Sequence, residues 1–176
     1  MATYQAVAAV GRAIVGLLEG STRPPEFTDA RFRLFRTEDF DNPVESGLSV
    51  YLYRIVVDSS RRNLPSVDRG GGRKSPPLTV VLHYLLTPWG ADAAREQQLL
   101  AWAMRVLEDS PVLSGALLNI ASPGTFTGNE AVELVLSEVP LTEVTDLWRA
   151  LGCRYRLGAS YVARRVTIDS PVDGNQ

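Results

Sequence analysis

Val7, Val10, Ile14, Leu17 and Leu18 recur at three- and four-residue steps, which predicts an amphipathic helix over about residues 3–19. Gly20 and the pair Pro24-Pro25 end it. Residues 31–35 alternate instead, Phe32 and Leu34 against Arg31, Arg33 and Phe35, as an edge strand does. Past an acidic turn, Glu38-Asp39-Phe40-Asp41-Asn42-Pro43, the run LSVYLYRIVV at 48–57 is rich in β-branched and aromatic residues and predicts a long strand. Residues 78–87 predict another. Leu78, Val80, Leu82, Tyr84 and Leu86 share one face and Val81, His83 and Leu85 the other, the signature of a central strand covered on both sides.

A long helix is expected over 91–108. Leu100, Ala103, Met104 and Leu107 form its stripe, and Leu99, Trp102 and Val106 widen it enough to meet both a sheet and a neighbour. Ser110-Pro111 stops it. Residues 131–139 read as a strand, and 141–151 as a short helix with Thr142 as its N-cap, Glu143 and Asp146 near its positive end and Gly152 after its last turn. Residues 155–169 close the fold as a strand. The order of elements argues for a single α+β domain over residues 1–170, with a mixed, mainly antiparallel sheet packed by two longer helices and one short one. Residues 171–176 form a polar tail expected to fray.

Composition narrows this little further. The chain has 176 residues, 45% hydrophobic and 22% charged, as suits one globular domain with a single sizeable core. Its formal net charge of -2 gives no global field to hold nucleic acid or an anionic membrane, so neither is an expected partner. The one cysteine, Cys153, excludes an intrachain disulfide framework and every cysteine-rich zinc set and fits a reducing cytosol; following Gly152, it reads as a packed or bystander thiol. The apolar first twenty residues lack the positive start of a signal peptide, and Gln5, Arg12 and Glu19 interrupt them at helical spacing. No stretch approaches the roughly 20 apolar residues of a membrane span. A cytoplasmic protein is the expectation.

One segment departs from the average. Residues 58–76 carry turn formers, three consecutive glycines and five cations (Arg61, Arg62, Arg69, Arg73, Lys74) against two carboxylates (Asp58, Asp68), which predicts a long, locally basic loop. Its Gly70-Gly71-Gly72-Arg73-Lys74-Ser75 is not a phosphate loop: no glycine directly precedes the lysine, and prolines and a strand follow where a helix N-terminus is needed. His83 is the only histidine, which rules out a two-histidine metal site within one chain, and there is no Gly-x-Ser-x-Gly elbow to make it the base of a serine triad. Glu38, Asp39 and Asp41 lack the alternating ligands of a calcium loop and read as a solvated turn or a patch for a basic partner. No cofactor or metal is expected, and the tryptophans and tyrosines read as core and interface anchors.

Three stretches, in order, carry a resemblance. They are GLSVYLYRI at 47–55 followed by Arg62-Asn63; PPLTVVLHYLLT at 76–87, running through the long helix to VLEDSPVLSG at 106–115; and Pro140-Leu141-Thr142, LWRALG at 147–152, YRLGASY at 155–161 and VTIDS at 166–170. Together they resemble the cap or tube-terminator family of extracellular contractile injection systems of the antifeeding-prophage type, over nearly the whole chain to about Ser170. Longer members of that family carry a further C-terminal region. The resemblance implies a fold like that of phage tail-terminator proteins. It also implies a homohexameric ring on the last ring of the inner tube, in contact with the last ring of the sheath, so that both stop growing and stay fastened. Such a role needs no catalytic residue. It needs a ring contact, for which the helix at 91–108 with Trp102 and Arg105 and the sheet edges are expected to serve. It also needs a surface matching tube or sheath, for which charge points to Arg61, Arg62, Arg69, Arg73 and Lys74 and to Glu38, Asp39 and Asp41.

Two other readings are open to the residues alone. One is a small ligand-binding or enzymatic α+β domain using the Tyr51, Tyr53 and His83 region beside the acidic turn. The other is a nucleic-acid-binding module acting through the basic loop, against which the weakly acidic whole argues.

Overall fold

In the computed structural model, which describes residues 3–59, 77–127 and 129–169, the two-sided apolar run is strand β3 (Leu78–Trp89). It lies inside a six-stranded sheet with β1 (Arg31–Phe35), β2 (Gly47–Val57), β4 (Val112–Ser114), β5 (Ala131–Leu136) and β6 (Ala159–Ile168). The order is β1-β2-β3-β6-β5-β4. β1 runs parallel to β2 and every other pairing is antiparallel, so the sheet is mixed, and β1 is an edge strand as its pattern predicts. Four helices accompany it among the described residues: α1 (Ala6–Gly20), α2 (Ala93–Glu108), α3 (Gly115–Ala121) and α4 (Leu141–Ala150).

The period-two alternation of β3 divides the hydrophobic side chains into two cores. Val80, Leu82, Tyr84 and Leu86 face the larger one, where α1 contributes Val10, Ile14 and Leu18 and α2 contributes Leu99, Ala103 and Leu107. Ala6, Ala9 and Ala13 are fully buried on α1, so the helix rests on small side chains. On the opposite face, Leu85 and Trp89 join Phe35, Phe40 and Trp148 of α4 in a smaller, aromatic core. Phe40 is its centre: its ring meets those of Phe35, Tyr51 and Trp148 edge-on at 5.3, 5.2 and 5.6 Å. Trp89 is further fixed by its Nε1, which donates to Ser49 Oγ at 3.0 Å.

Two irregularities bend the sheet. Tyr53 is an extra residue between the pairs Leu52–Tyr84 and Arg54–His83, a β-bulge. A second interrupts β6, where Arg165 takes φ of 65°, a conformation that disfavours a side chain by about 1 kcal/mol. After it, Val166 is back in the larger core opposite Val80.

Several boundaries differ from the sequence reading for identifiable reasons. The second helix starts at Ala93 because Asp92 caps it, accepting from the Arg95 backbone N–H at 2.8 Å. α4 starts at Leu141 with Pro140 in the cap position, so Thr142 lies inside the first turn and is not the N-cap. β5 ends at Leu136 rather than 139. β6 begins only at Ala159, paired with Leu86, and the preceding Gly158 lies so close that a Cβ there would be 2.9 Å from the Leu86 carbonyl oxygen. β4 and α3 have no counterpart in the sequence pattern. Three residues are too few to show alternation, and a seven-residue helix opening on glycine shows little periodicity. Ser114 supplies α3's cap, accepting from Leu117 N–H at 3.4 Å.

Candidate functional site

The acidic turn is a built element. Thr37–Phe40 form a 3-10 turn held from below by buried Phe40 and from its own start by Arg36, whose backbone N–H donates to Asp39 Oδ2 at 2.8 Å. The Arg36 side chain also approaches Glu38 and Asp39, at 3.7 and 3.6 Å. Asp41 is exposed beside them and makes no ion pair among the described residues. Glu38, Asp39 and Asp41 share this turn, and Arg36, two and three residues before the first two, is the counter-charge that the sequence pattern does not single out.

Trp102 and Arg105, both on α2, have separate surroundings. Trp102 is half-buried, stacked on Phe32 with centroids 5.6 Å apart and tilted against Phe27 at 6.2 Å. Arg105 is exposed and pairs with Asp109 one turn on. The wide apolar side of α2 is taken up by the larger core, leaving Gln97, Gln98, Ala101 and Arg105 on its exposed side. Arg61, Arg62, Arg69, Arg73 and Lys74 lie outside the described residues.

Among the described residues Tyr51, Tyr53 and His83 each sit in separate contacts. Tyr51 packs edge-on against Phe40, with its hydroxyl 3.3 Å from Thr37 Oγ1. Tyr53 meets the His83 ring at 5.9 Å. Burial, then the neighbouring Arg54 charge, hold His83 below its ordinary value. Cys153 is half-buried against the aromatic core, its thiol 3.5 Å from the Leu151 carbonyl. Among the described residues no group of three or more histidine, cysteine or acidic side chains is placed to hold a metal ion, and no helix is long and apolar enough to cross a membrane.

Two surface features lay beyond sequence reasoning. At the β1 end of the molecule an apolar groove of about 590 Å³ runs between α1, β1 and α3, with Gly16, Phe32, Leu34, Leu117 and Ile120 among its walls. Arg12, Glu19 and Arg33 line it too, and Arg12 donates to Ser122 Oγ through Nε and Nη2 at 3.0 and 2.5 Å. Elsewhere, a clamp joins α2 to the segment entering β1. Arg95 donates to the Glu26 carbonyl at 2.8 Å, the Asp29 carboxylate at 2.6 Å and Ser46 Oγ at 2.9 Å. Neither feature could be read from local pattern, because each joins segments far apart in the chain.

The curled six-stranded mixed sheet, with helices packed on it, is a fold shared with tail-terminator proteins. The fold is similar over 100% of the chain to the PVC sheath/tube terminator of an extracellular contractile injection system in its extended state, with a TM-score of 0.68 and 19% identity. It is also similar over 95% of the chain to the anti-feeding prophage tube-terminating cap, with a TM-score of 0.63 and 19% identity. The chain spans 60% and 56% of those two proteins' lengths. It belongs to the Pvc16 N-terminal domain family, whose profile matches residues 9–176. No curated protein matches it significantly in sequence.

Proposed function

We propose that this chain is a structural cap that ends polymerisation of the inner tube and sheath of a phage-tail-like contractile injection system and keeps the two fastened during contraction. The observation that carries the reading is the likeness of the entire fold to a sheath/tube terminator, supported by the family to which residues 9–176 belong. A head-to-tail polymer grows because each ring re-presents the same edge, and a ring matching that edge on one side only ends it. Six copies form that ring, seated on the last ring of tube protein and touching the last ring of sheath protein. The chain is made in the cytoplasm and enters the assembled particle there.

The role is mechanical and requires no enzymatic step. It requires surfaces that hold their shape, and the acidic turn meets that need because Phe40 and Arg36 fix it from two sides. In this reading Glu38, Asp39 and Asp41 face tube or sheath, and so do Arg61, Arg62, Arg69, Arg73 and Lys74. Electron microscopy of particles assembled without this subunit tests it. Tubes of uncontrolled length, or sheaths detached from the tube after contraction, are expected. Particles of normal length with attached sheaths would remove the proposal.

A further inference from the structure

The apolar groove at the β1 end contains a glycine that no neighbour among the described residues requires. Gly16 lies within α1, is exposed, and would carry a Cβ meeting no atom within 4 Å. Glycine is the poorest helix former after proline, so a helix-interior glycine without an internal reason points to close approach from outside. Gly11, one face away, is explained internally, since its Cβ would lie 2.9 Å from Leu34. Beside Gly16 the groove presents Ile120 at 81% exposure, more open than any other large apolar side chain among the described residues.

The opposite face of the sheet carries a shape and charge that suit this groove. α4 packs there, and its first residue, Leu141, projects at 67% exposure behind the rigid Pro140. Glu138 and Glu143 precede and follow it in the chain, both exposed and both outside any ion pair among the described residues. The groove offers Arg12 and Arg33, likewise without an acidic partner among the described residues, against the single carboxylate of Glu19. An apolar knob flanked in the chain by two carboxylates thus matches an apolar groove with an excess of cations.

We infer that this groove receives the Leu141 corner of a second copy of the chain. Knob and groove lie on different faces of the sheet, so both can be engaged in one molecule, and the contact is of the head-to-tail kind that repeats from copy to copy. This rests on the ring reading above and assigns the ring contact to two surfaces. Gly16 is then the place where the neighbour's backbone passes close to α1, and Ile120 lies against Leu141.

Sedimentation velocity over a concentration series, with and without the tube protein, tests it. Ile120→Asp should leave the monomer's melting unchanged and weaken self-association about 10-fold or more. Gly16→Ala should raise the monomer's melting temperature by about 2–4 °C and still weaken self-association. Arg33→Glu and Glu143→Arg should each weaken it, and the double exchange should restore part of the loss. In a Cys153→Ser background, Ile120→Cys with Leu141→Cys should give a ladder of disulfide-linked copies on mild oxidation. If the wild type forms rings and these variants form them equally well, the groove assignment fails while the cap reading stands. Variants that keep the ring but lose tube or sheath binding would also overturn it, because the groove would then belong to another partner. A chain that neither associates nor cross-links, with or without tube, overturns the inference. The cap reading is judged separately by particle morphology.

Discussion

Arg95 on α2 donates to the carboxylate of Asp29 at 2.6 Å, so a helix and the segment that enters the edge strand are held by one guanidinium. Partial desolvation pushes the Asp29 carboxyl up, but hydrogen bonds from Arg95 and Ser46 outweigh it and hold the group below the ordinary aspartate value of 3.8. A folded-state value below the unfolded one adds stability that is fully present above pH 3.8 and is lost as pH falls through the folded value. Asp29→Asn should therefore lower the melting temperature at neutral pH and flatten the acid limb of the stability curve, measured by thermal melts between pH 2 and 7. Identical acid limbs in the two proteins would contradict the clamp.

Gly47 opens β2 beside Arg31 with φ of 151°, and a Cβ there would fall 1.9 Å from the Arg31 carbonyl oxygen. Backbone cannot move aside as a side chain can, so Gly47→Ala should destabilise the fold by about 3 kcal/mol or more, or leave it insoluble. At Gly16 the same substitution meets open space and should stabilise by about 1 kcal/mol. Denaturant titration of both variants checks the opposite signs.

This contrast marks how far the sequence could be read. The helix stripe from Val7 to Leu18 and the alternation of residues 78–87 are repetitive signals, and both elements sit where their periods place them. β3 is two-faced in sequence because two cores flank it. What could not be read is relational. Gly11, Gly16, Gly47 and Gly158 look alike as letters, and only the neighbours brought by the fold separate a required glycine from a free one. The bulges at Tyr53 and Arg165 are likewise set by cross-strand register, not by local propensity. The acidic turn is visible because its three charges lie within four residues. The Arg95 clamp and the apolar groove are not, because each joins residues tens of positions apart.

Trp148 is fully buried in the aromatic core, yet its Nε1 has no hydrogen-bond partner among the described residues. Removing the indole leaves a large cavity next to Phe40, so Trp148→Ala should cost about 3–5 kcal/mol. Trp148→Phe keeps most of the packing and removes an unsatisfied donor, so its cost should stay below about 1.5 kcal/mol. Urea unfolding of the pair measures the gap. Near-equal losses would mean that the indole N–H is satisfied after all.

The acidic turn offers a test of the cap reading that leaves the fold intact. Asp39 accepts from the Arg36 backbone and so helps to form the turn, whereas Glu38 and Asp41 are exposed, and Asp41 has no ion pair among the described residues. If the turn meets a basic strip of tube or sheath protein, Glu38→Lys with Asp41→Lys should slow association and weaken binding by about 3–10-fold at low salt, with a smaller effect at high salt. Asp39→Asn should instead act chiefly on stability, because it weakens the bond that closes the turn. Binding of both variants to purified tube and sheath proteins, at two ionic strengths and with melts run in parallel, separates recognition from folding. Unchanged, salt-independent binding by the double lysine variant would move the contact away from this turn and onto other surfaces of the ring.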